Sequence, residues 1–546
     1  MRKIMLAAAA AFSATGACAQ PTAQPLAATG PKLLIVISVD QFSADLWDEY
    51  RPQFSGGFAR LATGTVFHNG YQSHATTETC PGHSTILTGA RPGRTGIVAN
   101  GWFDPKANRS DKNVYCAEDE RAPGSNSANY TVSSAHLRVP TLGELLKRSS
   151  SASLNVAVAG KDRAAVMMSG HVADQRWYWD QNQFSTDLRG ALPRSVAAVN
   201  LATAQAIAKG LPALDPPPFC AAKAQAYKLA PPPGRTVGAG RLERAPGDAD
   251  TFRASPQLDA SVLALSAALI RELGLGSDAA PDVLSISLSA TDYVGHAFGP
   301  GGQEMCLQLL SLDRDLGDFL KQLDRWGLDY AVALTADHGG LDVPERLHAK
   351  GIRDAAWVDP ALTASVLGPK VAATTGLKGP IIIAGGPFSE IYLDPVLQGA
   401  ERKRAVEALV AAYRAHPQVH AVFTREDIAQ APMPKGSVEH WTVMDRVRAS
   451  FDQARSGDLY VVSKPYVQPI ADTSRYVATH GSPWDYDRRV PIIFWRPGTA
   501  GAPRDEAAET VDIMPTLAAM LGLRIAASEI DGHCLSSVAG VTCASR

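Results

Sequence analysis

The sequence predicts an α/β fold: a mostly parallel central sheet with helices on both faces, carrying an inserted smaller α+β subdomain. Three observations predict it. Apolar, β-branched runs recur along the chain and suit strands buried on both faces of a parallel sheet. Patterns of helical period separate these runs. Residues able to hold a metal or an anion stand just past the ends of several runs, where ligands of open α/β sheets bind.

Taken in order, residues 1–20 have the makings of an export signal, with Arg2 and Lys3 ahead of an apolar stretch and Ala17-Cys18-Ala19 as a small-residue cleavage site. Cleavage is expected after Ala19, giving a signal peptide over 1–19 and a catalytic domain over 20–546. The mature chain then carries a net charge of about −4. Acylation of Cys18 is the alternative, but Thr15-Gly16-Ala17 lacks the aliphatic residue usual before such a cysteine. The first strand is expected over Leu33–Val39 and stops at Asp40. Ala75–Leu87 reads as a loop entering a helix, with Thr79 just ahead of it and Pro81 in its first turn. Further strands are expected over Leu154–Ala159, Val283–Leu288, Tyr330–Leu334 and Pro491–Trp495. Helices are expected over Pro140–Lys147, Ala260–Leu273, Met305–Leu323 and Val511–Leu521. Two stretches read as insertions, roughly 174–259 and 341–476. The second holds its own strand at Pro380–Ala384 and helix at Arg402–Ala415.

The 546 residues are 45% apolar and 19% charged, the composition of a soluble globular protein. The near-neutral balance gives no basic footprint for nucleic acid, so no nucleic acid binding is expected. Past the leader, no stretch has the ~18 apolar residues of a membrane span. The mature protein is expected to be periplasmic or secreted, and a monomer. Six cysteines then remain: Cys80, Cys116, Cys220, Cys306, Cys534 and Cys543. In an oxidising compartment they suggest three disulfides, with about fifteen pairings open. Pairing of nearest neighbours is the expectation.

Asp40, Asp292, His296, Asp337, His338 and His480 are carboxylates and imidazoles of the kind that bind zinc. Each alone has an ordinary explanation, such as a cap or a core histidine, but together they suggest two metal ions ~4 Å apart. Thr79 is an N-cap or a nucleophile. A threonine hydroxyl is weak until a base or metal activates it. Asn100, Lys161 and Arg163 offer donors for phosphoryl oxygens, although each alone could be a turn or a solvated strand end.

These residues lie in VISVDQF (36–42), TTETCPGHSTILTG (76–89), VANGWFD (98–104), AGKDRAA (159–165), SATDYVGHAFGP (289–300), LTADHGG (334–340) and VATHGSPWDYDRRVPIIF (477–494). In that order they resemble the alkaline phosphatase superfamily, and within it the threonine-nucleophile alkaline phosphatases of the PhoK/PafA type. The resemblance implies an alkaline phosphatase-like fold and two Zn2+ per chain. It implies Asp40, Thr79, Asp337 and His338 around one ion, and Asp292, His296 and His480 around the other. It also implies a phosphothreonine intermediate on Thr79, with Asn100, Lys161 and Arg163 binding the phosphoryl group of small-molecule phosphate monoesters. Activity is expected to rise at alkaline pH. The rival reading is a nucleotide pyrophosphatase/phosphodiesterase. The Lys161–Arg163 pair argues for monoesters, whose extra charge it would neutralise. A sulfatase would need a Cys-x-Pro-x-Arg setting that Cys80-Pro81-Gly82-His83 lacks. A phosphate-binding protein without turnover would leave the metal-type residues unexplained.

Overall fold

A computed structural model describes residues 30–543. The expected signal peptide and Cys18 fall outside the described residues. Nine strands make the central sheet. In chain order they are β1 (Leu33–Val39), β2 (Thr65–Phe67), β3 (Asn155–Ala159), β4 (Gln175–Asp180), β5 (Gln183–Ser185), β6 (Asp282–Leu288), β7 (Tyr330–Thr335), β8 (Ile492–Trp495) and β9 (Pro503–Arg504). Across the sheet they run β9-β2-β8-β7-β1-β6-β3-β4-β5. The five central strands β7, β1, β6, β3 and β4 are parallel to one another. Antiparallel pairing enters at β8, which follows its own loop back into the sheet, and at the β4–β5 hairpin.

Strand β1 shows why the middle of the sheet reads as unbroken apolar sequence. Its side chains alternate between two cores. Leu33, Ile35, Ile37 and Val39 enter one, packed against helices Pro256–Leu273 and Gln303–Arg325. Leu34 and Val36 enter the other, beneath Ile86, Leu87 and helix Ile513–Met520. Each such fully buried side chain contributes ~1.5–3 kcal/mol, so a charge anywhere in this strand would break the sheet at its centre.

The 174–259 stretch begins inside the sheet, since β4 and β5 extend its edge, and helix Arg194–Lys209 follows. The 341–476 stretch builds a four-stranded sheet in the order Ile382–Ala384, Ser389–Leu393, Leu459–Ser463, Val419–Thr424. Its separate core includes Leu367 and Val371 of helix Ala364–Thr375, and Ala405, Leu409 and Tyr413 of helix Gly399–Arg414. Disulfides join Cys80 to Cys116, Cys220 to Cys306 and Cys534 to Cys543. Among the described residues no helix is long and apolar enough to cross a membrane.

Candidate active site

Strand register assembles the site. Ser38 of β1 pairs with Thr335 of β7, so two residues further on Asp40 and Asp337 leave the sheet side by side. Val39 pairs with Leu288 of β6, and Ser287 of β6 pairs with Ala159 of β3. The loops carrying Asp292 and Lys161 therefore emerge next in line. Four neighbouring parallel strands thus deliver three carboxylates and an ammonium to one crevice beyond their carboxyl ends.

Helix α1 (Thr79–Thr88) completes this edge. The sequence reading puts Thr79 just ahead of the helix; here Glu78 takes the cap position and Thr79 is the first helical residue. Its hydroxyl sits at the N-terminal end, where free N–H groups and the helix dipole favour an anion. Gly82 lets α1 lie directly on the Asp337 loop, because a Cβ there would stand 2.1 Å from the Asp337 carbonyl oxygen.

Two groups of possible metal ligands form: Asp40 with Asp337 and His338, and Asp292 with His338 and His480. His338 belongs to both. His296 stands beside the second group, its Nε2 3.2 Å from Asp292 Oδ1. The His338 and His480 rings stack 3.5 Å apart, at 15°. In each of these three histidines Nδ1 faces a backbone carbonyl: Ala478 at 2.7 Å from His296, Gly339 at 2.9 Å from His338 and Thr77 at 2.8 Å from His480. A carbonyl only accepts, so Nδ1 carries the proton and Nε2 is left as the lone-pair donor. Metal-binding imidazoles are held in this way.

Several polar atoms are orphaned here. Asp40 Oδ1, Asp337 Oδ2 and His338 Nε2 are buried without a hydrogen-bond partner. Such atoms are costly unless something binds them. Oxygen and imidazole nitrogen donors in this number fit divalent ions of the zinc type. Burial and the neighbouring Asp337 push the Asp40 carboxyl well above the usual range. Asp337 goes the other way: burial opposes ionisation, but His338 and His83 outweigh it and hold its pKa low. Burial and the adjacent His338 keep His480 neutral.

The expected substrate-binding residues divide in two. The Lys161 ammonium lies 2.5 Å from both Asp40 and Asp292. Burial opposes that charge, yet the two carboxylates raise its pKa above the ordinary value. Arg163 instead reaches Thr79, Nη2 donating to Oγ1 at 3.4 Å, and its buried Nε has no partner. The Tyr115 hydroxyl braces the guanidinium at 3.5 Å and itself donates to Asp162 at 2.8 Å. The Cys80–Cys116 disulfide ties the residue after Thr79 to the residue after Tyr115. Asn100 Oδ1 accepts from the Cys80 N–H at 2.8 Å.

Two residues here were given no role from sequence. Gln41 donates its backbone N–H to Asp337 Oδ1 at 3.1 Å and its Nε2 to Asp292 Oδ1 at 3.0 Å. It therefore tethers a member of each ligand group, from a left-handed backbone (φ 64°) that glutamine rarely adopts. No residue pattern announces this. His83 Nδ1 lies 2.9 Å from the Thr79 carbonyl oxygen and 3.2 Å from Asp337 Oδ2, with Nε2 3.0 Å from Ser287 Oγ. Its spacing four after Thr79, on one helix face, was the available signal.

Residues 34–483 match the type I phosphodiesterase / nucleotide pyrophosphatase family. The alkaline phosphatase PhoK of Sphingomonas sp. is 50% identical over 95% of this chain and 93% of its own. The alkaline phosphatase PhoD of Zymomonas mobilis subsp. mobilis is 45% identical over 93% of this chain and 88% of its own. The crystal structure of the wild-type alkaline phosphatase PafA superposes with a TM-score of 0.80 at 26% identity, covering 94% of this chain and 99% of that one. The chain belongs to the type I phosphodiesterase / nucleotide pyrophosphatase family of the alkaline phosphatase superfamily, and is of the PhoK/PafA type.

Proposed function

We propose that the chain is an exported, zinc-dependent alkaline phosphatase that hydrolyses phosphate monoesters through a phosphothreonine on Thr79. One observation carries this reading: Thr79 opens a helix that packs on the Asp337 loop, with Arg163 donating to its hydroxyl. The 50% identity to PhoK and 45% to PhoD support the reaction class. Asp40, Asp337 and His338, with Thr79, would hold one zinc ion, and Asp292, His296 and His480 the other. When bound, the ions supply Lewis acidity at the reacting oxygens.

The chain's own groups do the rest. Thr79 Oγ1 gives up its proton to solvent and bonds to phosphorus, while the ester P–O bond breaks and its electron pair leaves on the alcohol oxygen, which takes a proton from solvent. A water oxygen then bonds to phosphorus and gives up a proton to solvent, the bond to Thr79 breaks with its electron pair on Oγ1, Oγ1 is reprotonated from solvent, and phosphate is released. Arg163 and the Asn100 amide bind the non-bridging oxygens, the guanidinium being pre-aimed by Tyr115. Lys161 supplies a second cation that compensates the charge gathered at Asp40 and Asp292. A monoester dianion gains from both cations. A diester has one of those oxygens esterified and gains less.

The family description favours a second reading, cleavage of nucleotide phosphodiesters. The test is hydrolysis of p-nitrophenyl phosphate against bis-p-nitrophenyl phosphate, with and without chelator, alongside metal content. Two zinc ions per chain and chelator-sensitive, faster monoester cleavage support the phosphatase. A clearly faster diester transfers the assignment to a phosphodiesterase.

A further inference from the structure

A cavity of about 440 Å³ adjoins this site. Glu78 lines it, immediately before Thr79, as do Ala99 and Gly101, on either side of Asn100, and the ligand His480. Past Asn100 the chain enters a hairpin pairing Gly101–Phe103 with Asn113–Tyr115, which forms one wall. The inserted subdomain forms the facing wall, with its segment from Ala384 to Tyr392 and strand Leu459–Ser463.

The chemistry of the lining is selective. Trp102, Phe103, Phe388, Tyr392 and Tyr460 make it aromatic, and the Phe103 and Tyr392 rings lie 6.2 Å apart across the two walls. Its charged members are the carboxyl groups of Glu78, Glu390 and Asp487, with no lysine or arginine among them. Glu78 accepts from the Asn100 N–H at 2.6 Å and Glu390 from the Gly457 N–H at 2.6 Å, so both are fixed in place. Nothing in this wall neutralises a second anion, and the carboxyl groups, whose pKa burial raises, repel one once they are ionised at alkaline pH. The volume is that of a small-molecule pocket, ~300–1,000 Å³, and aromatic rings add attraction beyond the area they bury.

We propose that this cavity receives the alcohol half of the substrate, and that the preferred esters are phosphates of neutral aromatic alcohols. The inference rests on the monoesterase reading and assigns a role to the inserted subdomain, which contributes Phe388, Glu390, Tyr392 and Tyr460.

The experiment compares kcat/KM for phenyl phosphate and 2-naphthyl phosphate in the zinc-loaded full chain and its Phe388→Ala variant. Both leaving groups are phenols of similar acidity, so the larger ring chiefly probes the pocket. The wild type is expected to favour the naphthyl ester roughly tenfold, the size of a modest apolar contact. Phe388→Ala should bring the ratio towards one while inhibition by inorganic phosphate stays within about twofold. A wild-type ratio near one, or a loss in the variant shared equally by both esters, overturns the pocket while leaving the phosphatase intact. Zinc-loaded wild type that hydrolyses neither ester removes the phosphatase reading and this inference together.

Discussion

Asp40, Asp292 and Asp337 leave three adjacent strands of the central sheet, whereas Trp102, Phe388 and Glu390 reach the same crevice from a short hairpin and an inserted subdomain. The first group is buried on a scaffold whose register leaves no freedom to move one carboxylate without the others. The second stands on a two-stranded hairpin and at the start of strand Ser389–Leu393 of the subdomain, whose core is packed separately. The difference teaches where each property of such an enzyme resides. Bond-breaking chemistry is fixed by the sheet, and the shape around the alcohol is set by what has been inserted into it.

That division can be broken or sharpened by substitution. The largest effect belongs to Thr79→Ala, which should lower kcat/KM roughly 10⁴-fold or more while zinc stays bound through Asp40, Asp337 and His338. Turnover at the wild-type rate would remove Thr79 as nucleophile. Arg163→Ala should lower monoester kcat/KM about 10²-fold, in the range seen when one pre-aimed donor is lost, and should affect the diester less. Equal losses on both esters would contradict its role with the dianion. Gln41→Ala should weaken zinc binding about 10–100-fold, as for other residues that orient ligands, read by competition with a chelator. Unchanged affinity would show that the tether to Asp337 and Asp292 is incidental. On the other side of the comparison, Leu409→Ala in the subdomain core should cost ~2–5 kcal/mol of stability. It should change phenyl phosphate turnover less than twofold below the melting transition. A loss as large as that of Arg163→Ala would mean the two regions are one unit.

The sheet was legible from sequence because its strands are buried on both faces. LLIVISV admits few other conformations, and an acidic residue ends the apolar run where the strand ends. Asp40, Asp292, Asp337 and His338 were legible for the same reason, since each stands just past such an end, whereas His296 and His480 do not. Thr79 was one residue misplaced because Glu78, an uncommon cap, displaced it into the helix. Strand Gln175–Asp180 and the edge strand Gln183–Ser185 were hidden in a stretch whose composition reads as an insertion. The roles of Gln41 and the aromatic wall were illegible on different grounds. A glutamine does nothing distinctive until the acceptors for its side-chain amide and its backbone N–H are brought in from residues 292 and 337 respectively. Phe388 and Trp102 come to line one cavity only once the subdomain is placed beside the hairpin.

The three imidazoles tied through Nδ1 to main-chain carbonyls carry a consequence for how this sequence can drift. Every amino acid has a carbonyl, so the groups that orient His480 and His296 survive replacement of Thr77 or Ala478 wherever the new side chain can be housed. Position 339 is different. It supplies the carbonyl for His338, but a Cβ there would fall 2.2 Å from the Tyr486 carbonyl oxygen. Among the three props, two tolerate a change of letter and one does not. Lineages of this fold should therefore vary at 77 and 478 long before they vary at 339.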